Sequence, residues 1–78
     1  GDLLESAEAA VLHSEEQRAV LAAIRRLPAR QREALVLRYY LEMTEEQAAQ
    51  AMGVTRGTVK SATSRATAAV GRMLKEES

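Results

Sequence analysis

Residues 44–75, TEEQAAQAMGVTRGTVKSATSRATAAVGRMLK, constrain the fold more than any other part of the chain. Thr44 with Gln47 three residues on is a capping-box pattern, in which hydroxyl and amide satisfy helix-start N–H groups reciprocally. A helix is therefore expected over roughly 45–52. Gly53 falls where that helix must stop and the chain take a positive φ, a conformation that costs little only for glycine. Thr55 can cap a second helix, expected over 56–76.

Two helices joined this tightly form a helix-turn-helix unit, and the second helix of such a unit fits the major groove of DNA. Periodicity decides whether this one carries a suitable face. With Val59 as origin and about 100° per residue, Ala62, Thr63, Ala66, Ala69, Val70, Met73 and Leu74 gather within about 80° of it. The opposite arc holds Lys60, Ser61, Ser64, Arg65, Ala68, Gly71, Arg72 and Lys75. One face is apolar and the other bears hydroxyls and cations without an acid, whereas a solvated face usually mixes signs.

Formal net charge is zero, from 11 basic and 11 acidic residues, and that total hides a gradient. Residues 1–16 carry Asp2, Glu5, Glu8, Glu15 and Glu16 with no lysine or arginine. Residues 54–75 carry Arg56, Lys60, Arg65, Arg72 and Lys75 with no acid. A chain polarised in this way can bind an anionic polymer through its basic helix. The neutral total implies modest, salt-sensitive affinity.

A length of 78 residues allows one small domain. There is no cysteine, so neither a disulfide nor a cysteine-based metal site supports the fold. Tyr39 and Tyr40 are the only aromatics. The core must come from Leu, Val, Ile, Met and Ala, which predicts a thin core and marginal stability. No apolar run reaches membrane-spanning length and no signal-peptide pattern appears, so a cytoplasmic location and no membrane partner are expected.

The expected class is all-α: a four-helix domain with a C-terminal helix-turn-helix, like a winged helix without its wing. Residues 1–13 read as an acidic lead-in and 14–78 as the domain. Leu12, Val20, Leu21, Ile24 and Leu27 recur at near-helical spacing, and a first helix is expected from near Ser6. Ser14-Glu-Glu-Gln17 is a second capping box, so a start there is the alternative. Pro28 ends that helix and suits the first turn of the next. The next helix runs to about Leu41, with Ala34, Leu35, Leu37 and Leu41 facing inward. Tyr39 and Tyr40 are successive on it and cannot both face the core.

Catalysis finds little support. His13 is the only histidine, with no cysteine and no glycine-rich phosphate loop to accompany it. Glu15-Glu16 and Glu45-Glu46 are sequence neighbours, so their side chains point about 100° apart on a helix. They suit the first turn of a helix, near its positive dipole end, better than acid/base work. No enzyme activity, metal, cofactor or small-molecule ligand is expected.

LPARQREALVLRYY, followed by LEMTEEQAAQAMGVTRGTVKSATSRA, resembles region 4 of bacterial sigma factors. The similarity covers about residues 15–75. It is carried by the LP-R-R-E-L-LRYY segment, the A-A-MGV turn and the GTVKS start of the last helix. It points to the extracytoplasmic-function (ECF) group and to its actinobacterial members. The resemblance implies that the last helix enters the major groove at the −35 promoter element. It also implies docking on the β-subunit flap of RNA polymerase, and occlusion by an anti-sigma factor. By position it implies base contacts from Lys60, Ser61, Ser64 and Arg65, and phosphate contacts from Arg38, Thr44, Arg56 and Thr58. Partner contacts fall to Leu27, Leu37, Tyr39, Tyr40 and Leu41. The chemistry agrees, since Lys and Arg donate to guanine O6/N7, Ser donates or accepts, and hydroxyls serve phosphates. The chain departs from the pattern at Ala62, Ser64 and Thr67, where many relatives carry Arg, His or Phe, and Arg. Position 48, often Ile, is Ala48.

Each assignment has a plainer counterpart. Arg56, Lys60 and Arg65 also read as solvated surface cations, Thr58 as support for the helix start, and Leu27, Leu37 and Leu41 as core. Ser61 and Ser64 have weak helix propensity, so their exposed mid-helix placement favours a contact. Two other functions stay open. One is a sigma-like interaction domain that binds an anti-sigma factor without touching DNA; the other is a response-regulator-type output domain.

Overall fold

The computed structural model describes residues 14–77. The expectations for residues 1–13, including His13 and the helical stretch from Ser6, lie outside them. The first described helix, α1 (Glu15–Arg25), starts at Ser14, whose extended backbone (φ −152°, ψ 159°) interrupts any helix running through it. Ser14 therefore starts this helix. Its hydroxyl accepts from the Gln17 N–H at 3.1 Å. Gln17 Oε1 is buried without a partner, so only half of this capping box forms.

The end of α1 is closed by the N–H groups of Arg26 and Leu27 on the carbonyls of Ala23 and Ile24, at 3.0 and 3.1 Å. Pro28 (φ −55°, ψ 147°) takes the N-cap position of α2 (Ala29–Leu35), just before the first turn for which it was expected. The Arg32 guanidinium reaches back to the Leu27 and Arg25 carbonyls at 3.2 and 3.4 Å. It thereby satisfies acceptors that the end of a helix leaves open.

From Val36 to Tyr40 the α2 helix widens into a π-helical segment. The Leu41 N–H donates to Val36 O at 3.0 Å, and the Met43 N–H to Leu37 O at 2.9 Å. Ala34, Leu35, Val36 and Leu37 are all buried in succession. Four consecutive helical residues cannot share one face, so α2 needs neighbours on more than one side. It has them: Leu35 and Val36 pack with Ile24, Leu27 and Ala66, while Leu37 packs with Ala48, Ala49 and Val59. Leu41, expected inward, is 38% exposed. The widened turn ends there, and Glu42 follows with φ 53°.

Helices α3 (Glu45–Met52) and α4 (Arg56–Glu77) make the helix-turn-helix. The box at Thr44 is complete: Gln47 N–H to Thr44 Oγ1 at 3.0 Å, and Thr44 N–H to Gln47 Oε1 at 2.9 Å. Gly53 adopts φ 68°, as expected, and the Val54 N–H closes on Ala49 O at 3.0 Å. Thr55 Oγ1 accepts from the Thr58 N–H at 3.1 Å and caps α4. Helix α4 packs against α1, α2 and α3, burying Val59, Ala62 and Ala66. Among the described residues the architecture is all-α, with four helices and no strand.

Candidate nucleic-acid interface

The partition of α4 follows the periodicity. Val59, Ala62 and Ala66 are buried, and Thr63, Ala69, Val70, Met73 and Leu74 are half-buried. Lys60, Ser61, Ser64, Arg65, Ala68, Gly71, Arg72 and Lys75 are all exposed. Among the described residues neither Lys60 nor Arg65 pairs with a carboxylate. Arg56, with 67% of its side chain exposed, lies 3.9 Å from Glu45 Oε1. An ion pair that long and that solvated is weak, which leaves the guanidinium available to an anion.

Hydroxyls on this face are partly engaged along their own helix. Ser61 Oγ donates to Gly57 O at 3.3 Å, and Thr67 Oγ1 to Thr63 O at 2.8 Å. Thr58 is half-buried, and its hydroxyl lies 3.0 Å from Thr55 Oγ1. It therefore belongs to the cap as well as to the candidate phosphate set. Arg38 is half-buried, with its guanidinium donating to the Met43 carbonyl. Thr44 is exposed and its oxygen is used in capping, which leaves the hydroxyl proton to donate outward. Arg38 and Thr44 thus hold the α2–α3 connection, and they line one concavity with Glu45, Glu46 and Arg56.

A second surface is apolar. Val20, Ile24, Leu35, Tyr39, Tyr40, Thr67 and Val70 line a groove of about 250 Å³ between α1, α2 and α4. Tyr39 is 61% exposed. Tyr40 packs against the core instead, and burial raises its phenol above the ordinary 10.0. Among the expected partner residues, these two tyrosines line the groove and Leu41 lies exposed. Leu27 and Leu37 do not qualify: at 3% and 2% exposure they are core and offer no surface. Val20 and Val70 were missed as groove residues, because apolar periodicity alone does not separate a groove wall from a core. Among the described residues no His, Cys, Asp and Glu cluster could hold a metal ion. No helix there is long and apolar enough to cross a membrane.

A capped two-helix unit whose second helix shows a cationic, acid-free ridge defines the DNA-binding helix-turn-helix class. The family model described as Sigma-70, region 4 matches residues 17–70, and the chain belongs to that family. The family is one of promoter −35 recognition and DNA binding. No curated protein and no solved structure matched the chain.

Proposed function

We propose that this chain is the −35-reading module of an ECF-type sigma factor of actinobacterial kind, acting in the cytoplasm within RNA polymerase holoenzyme. The observation that carries the reading is the α4 ridge, where Lys60, Ser61, Ser64 and Arg65 stand exposed with no acid among them. These four reach base edges. Arg56 and Thr58 meet phosphates at the helix start, and Arg38 and Thr44 meet them beside α3. The groove around Tyr39 and Tyr40 supports docking on the β flap, and an anti-sigma factor competes for that groove or for the ridge.

The test is duplex DNA selected from a random pool, titrated with the chain at several salt concentrations. Of the four proposed phosphate contacts only Arg38 and Arg56 are cationic, so log K is expected to fall with log[salt] at a slope of about −1.8. Arg65→Ala is expected to cost about 1–3 kcal/mol on the preferred duplex and to blur preference at one base pair. A slope near zero would remove the DNA reading and leave the apolar groove as a protein-docking surface.

A further inference from the structure

The concavities along the exposed ridge of α4 differ in charge, and the one beside Lys60 and Ser64 also includes Glu45. On one side Arg38, Thr44 and Arg56 stand with Glu45 and Glu46. On the other, Arg30 and Gln31 of α2 meet Thr58, Ser61 and Arg65 of α4 across Pro28 and Ala62. No acidic residue lines this second border. Arg30 is exposed, and among the described residues no carboxylate pairs with it.

Fold stability does not account for Arg30. It lies in the first turn of α2, where the helix dipole disfavours positive charge. Arg32, two residues on, is committed to the carbonyls of Leu27 and Arg25. The two arginines thus divide into one that holds the α1–α2 corner and one that faces outward beside the ridge.

We propose that Arg30 and Gln31 form a clamp for a backbone phosphate of duplex DNA, on the groove wall opposite the one that α3 faces. The proposal rests on the DNA-binding reading above and extends the interface from α4 onto α2. A guanidinium offers a fork of N–H donors suited to phosphate oxygens, and the Gln31 amide adds a neutral donor. Arg65 contributes positive field from the adjoining helix. On the opposite border Glu45 and Glu46 offset part of the field of Arg38 and Arg56, which weakens without abolishing the phosphate contacts proposed there. The acid-free border carries no such penalty.

The experiment measures binding of the full chain to a short duplex across a salt series. It compares the parent with Arg30→Gln, Arg30→Lys and Arg18→Gln, the last an exposed α1 arginine outside both borders that serves as the charge-matched control. Arg30→Gln is expected to reduce the magnitude of the log K against log[salt] slope by about 0.9, one phosphate's worth, equally on all sequences. Arg30→Lys should restore most of it, and Arg18→Gln should leave the slope unchanged. A methylphosphonate scan should find one phosphate whose neutralisation weakens the parent but not Arg30→Gln. A parental slope in Arg30→Gln, an equal loss in Arg18→Gln, or no such phosphate overturns the clamp. Arg65→Ala reports separately on the DNA reading: if it still weakens binding, that reading stands without the clamp. If neither Arg65→Ala nor Arg30→Gln weakens binding, both proposals fail.

Discussion

Helices α2 and α3 both finish on a left-handed residue, yet different chemistry builds the two ends. Helix α3 stops at Gly53 (φ 68°), with the Val54 N–H on Ala49 O at 3.0 Å. The widened end of α2 is capped at Leu41 and turned at Glu42 (φ 53°), where the Met43 N–H reaches one residue further back, to Leu37 O at 2.9 Å. Glycine takes this conformation without a Cβ clash, whereas a residue with a side chain loses about 1–2 kcal/mol. The second end is held instead by what surrounds it. The π segment delivers Leu37 to Ala48, Ala49 and Val59, and Arg38 latches onto the Met43 carbonyl. Local chemistry suffices for one stop; the other is imposed by packing.

Leu37→Ala should strain this comparison most. It empties a site that is 2% exposed at the junction of α2, α3 and α4. A destabilisation of about 2–5 kcal/mol is expected in denaturant unfolding. A loss well under about 1 kcal/mol would mean that packing does not hold the widened turn. Gly53→Ala comes next. A Cβ built there meets nothing within 4 Å, so the cost is conformational alone, about 1–2 kcal/mol. A neutral result in the same assay would show that the turn relaxes away from positive φ. Glu42→Gly should have the smallest effect and the opposite sign. Relief of the left-handed glutamate is largely offset by the greater backbone entropy that glycine loses on folding. A net gain of under about 1 kcal/mol is expected. A loss would assign the Glu42 side chain a part in the fold.

The same contrast explains which features were legible in the sequence. Thr44 with Gln47, Gly53 and Thr55 act within three or four residues, so spacing alone predicts their structure. The two faces of α4 follow from helical period for the same reason. The widened turn depends on Leu35, Val36 and Leu37 finding partners on separate helices, and no local pattern announces that. Leu27 and Leu37 illustrate the consequence for the site, because a buried leucine and a docking leucine look identical in a string of letters. Sequence alternation required one tyrosine to face out, but only packing selected Tyr39. At the start of α1, the capping hydroxyl and extended backbone of Ser14 fix where that helix begins, as its Ser14-to-Gln17 spacing suggested. Arg30 and Gln31 were overlooked because their nearness to Ser61 and Arg65 arises from the way α2 approaches α4.

Helix α3 meets α4 through Ala48, Ala49 and Val59, and such short side chains let two helix axes approach toward the lower end of the usual 8–10 Å. On the DNA-binding reading proposed above, the spacing acts as a gauge for α4. Successive nucleotides along one strand are about 3.4 Å apart, so a bulkier residue at position 48 would wedge α4 sideways by a sizeable fraction of that step. On DNA, Lys60 and Arg65 would then address different edges. If α4 reads bases as proposed, its base preference is set in part by Ala48, a fully buried alanine outside the exposed ridge.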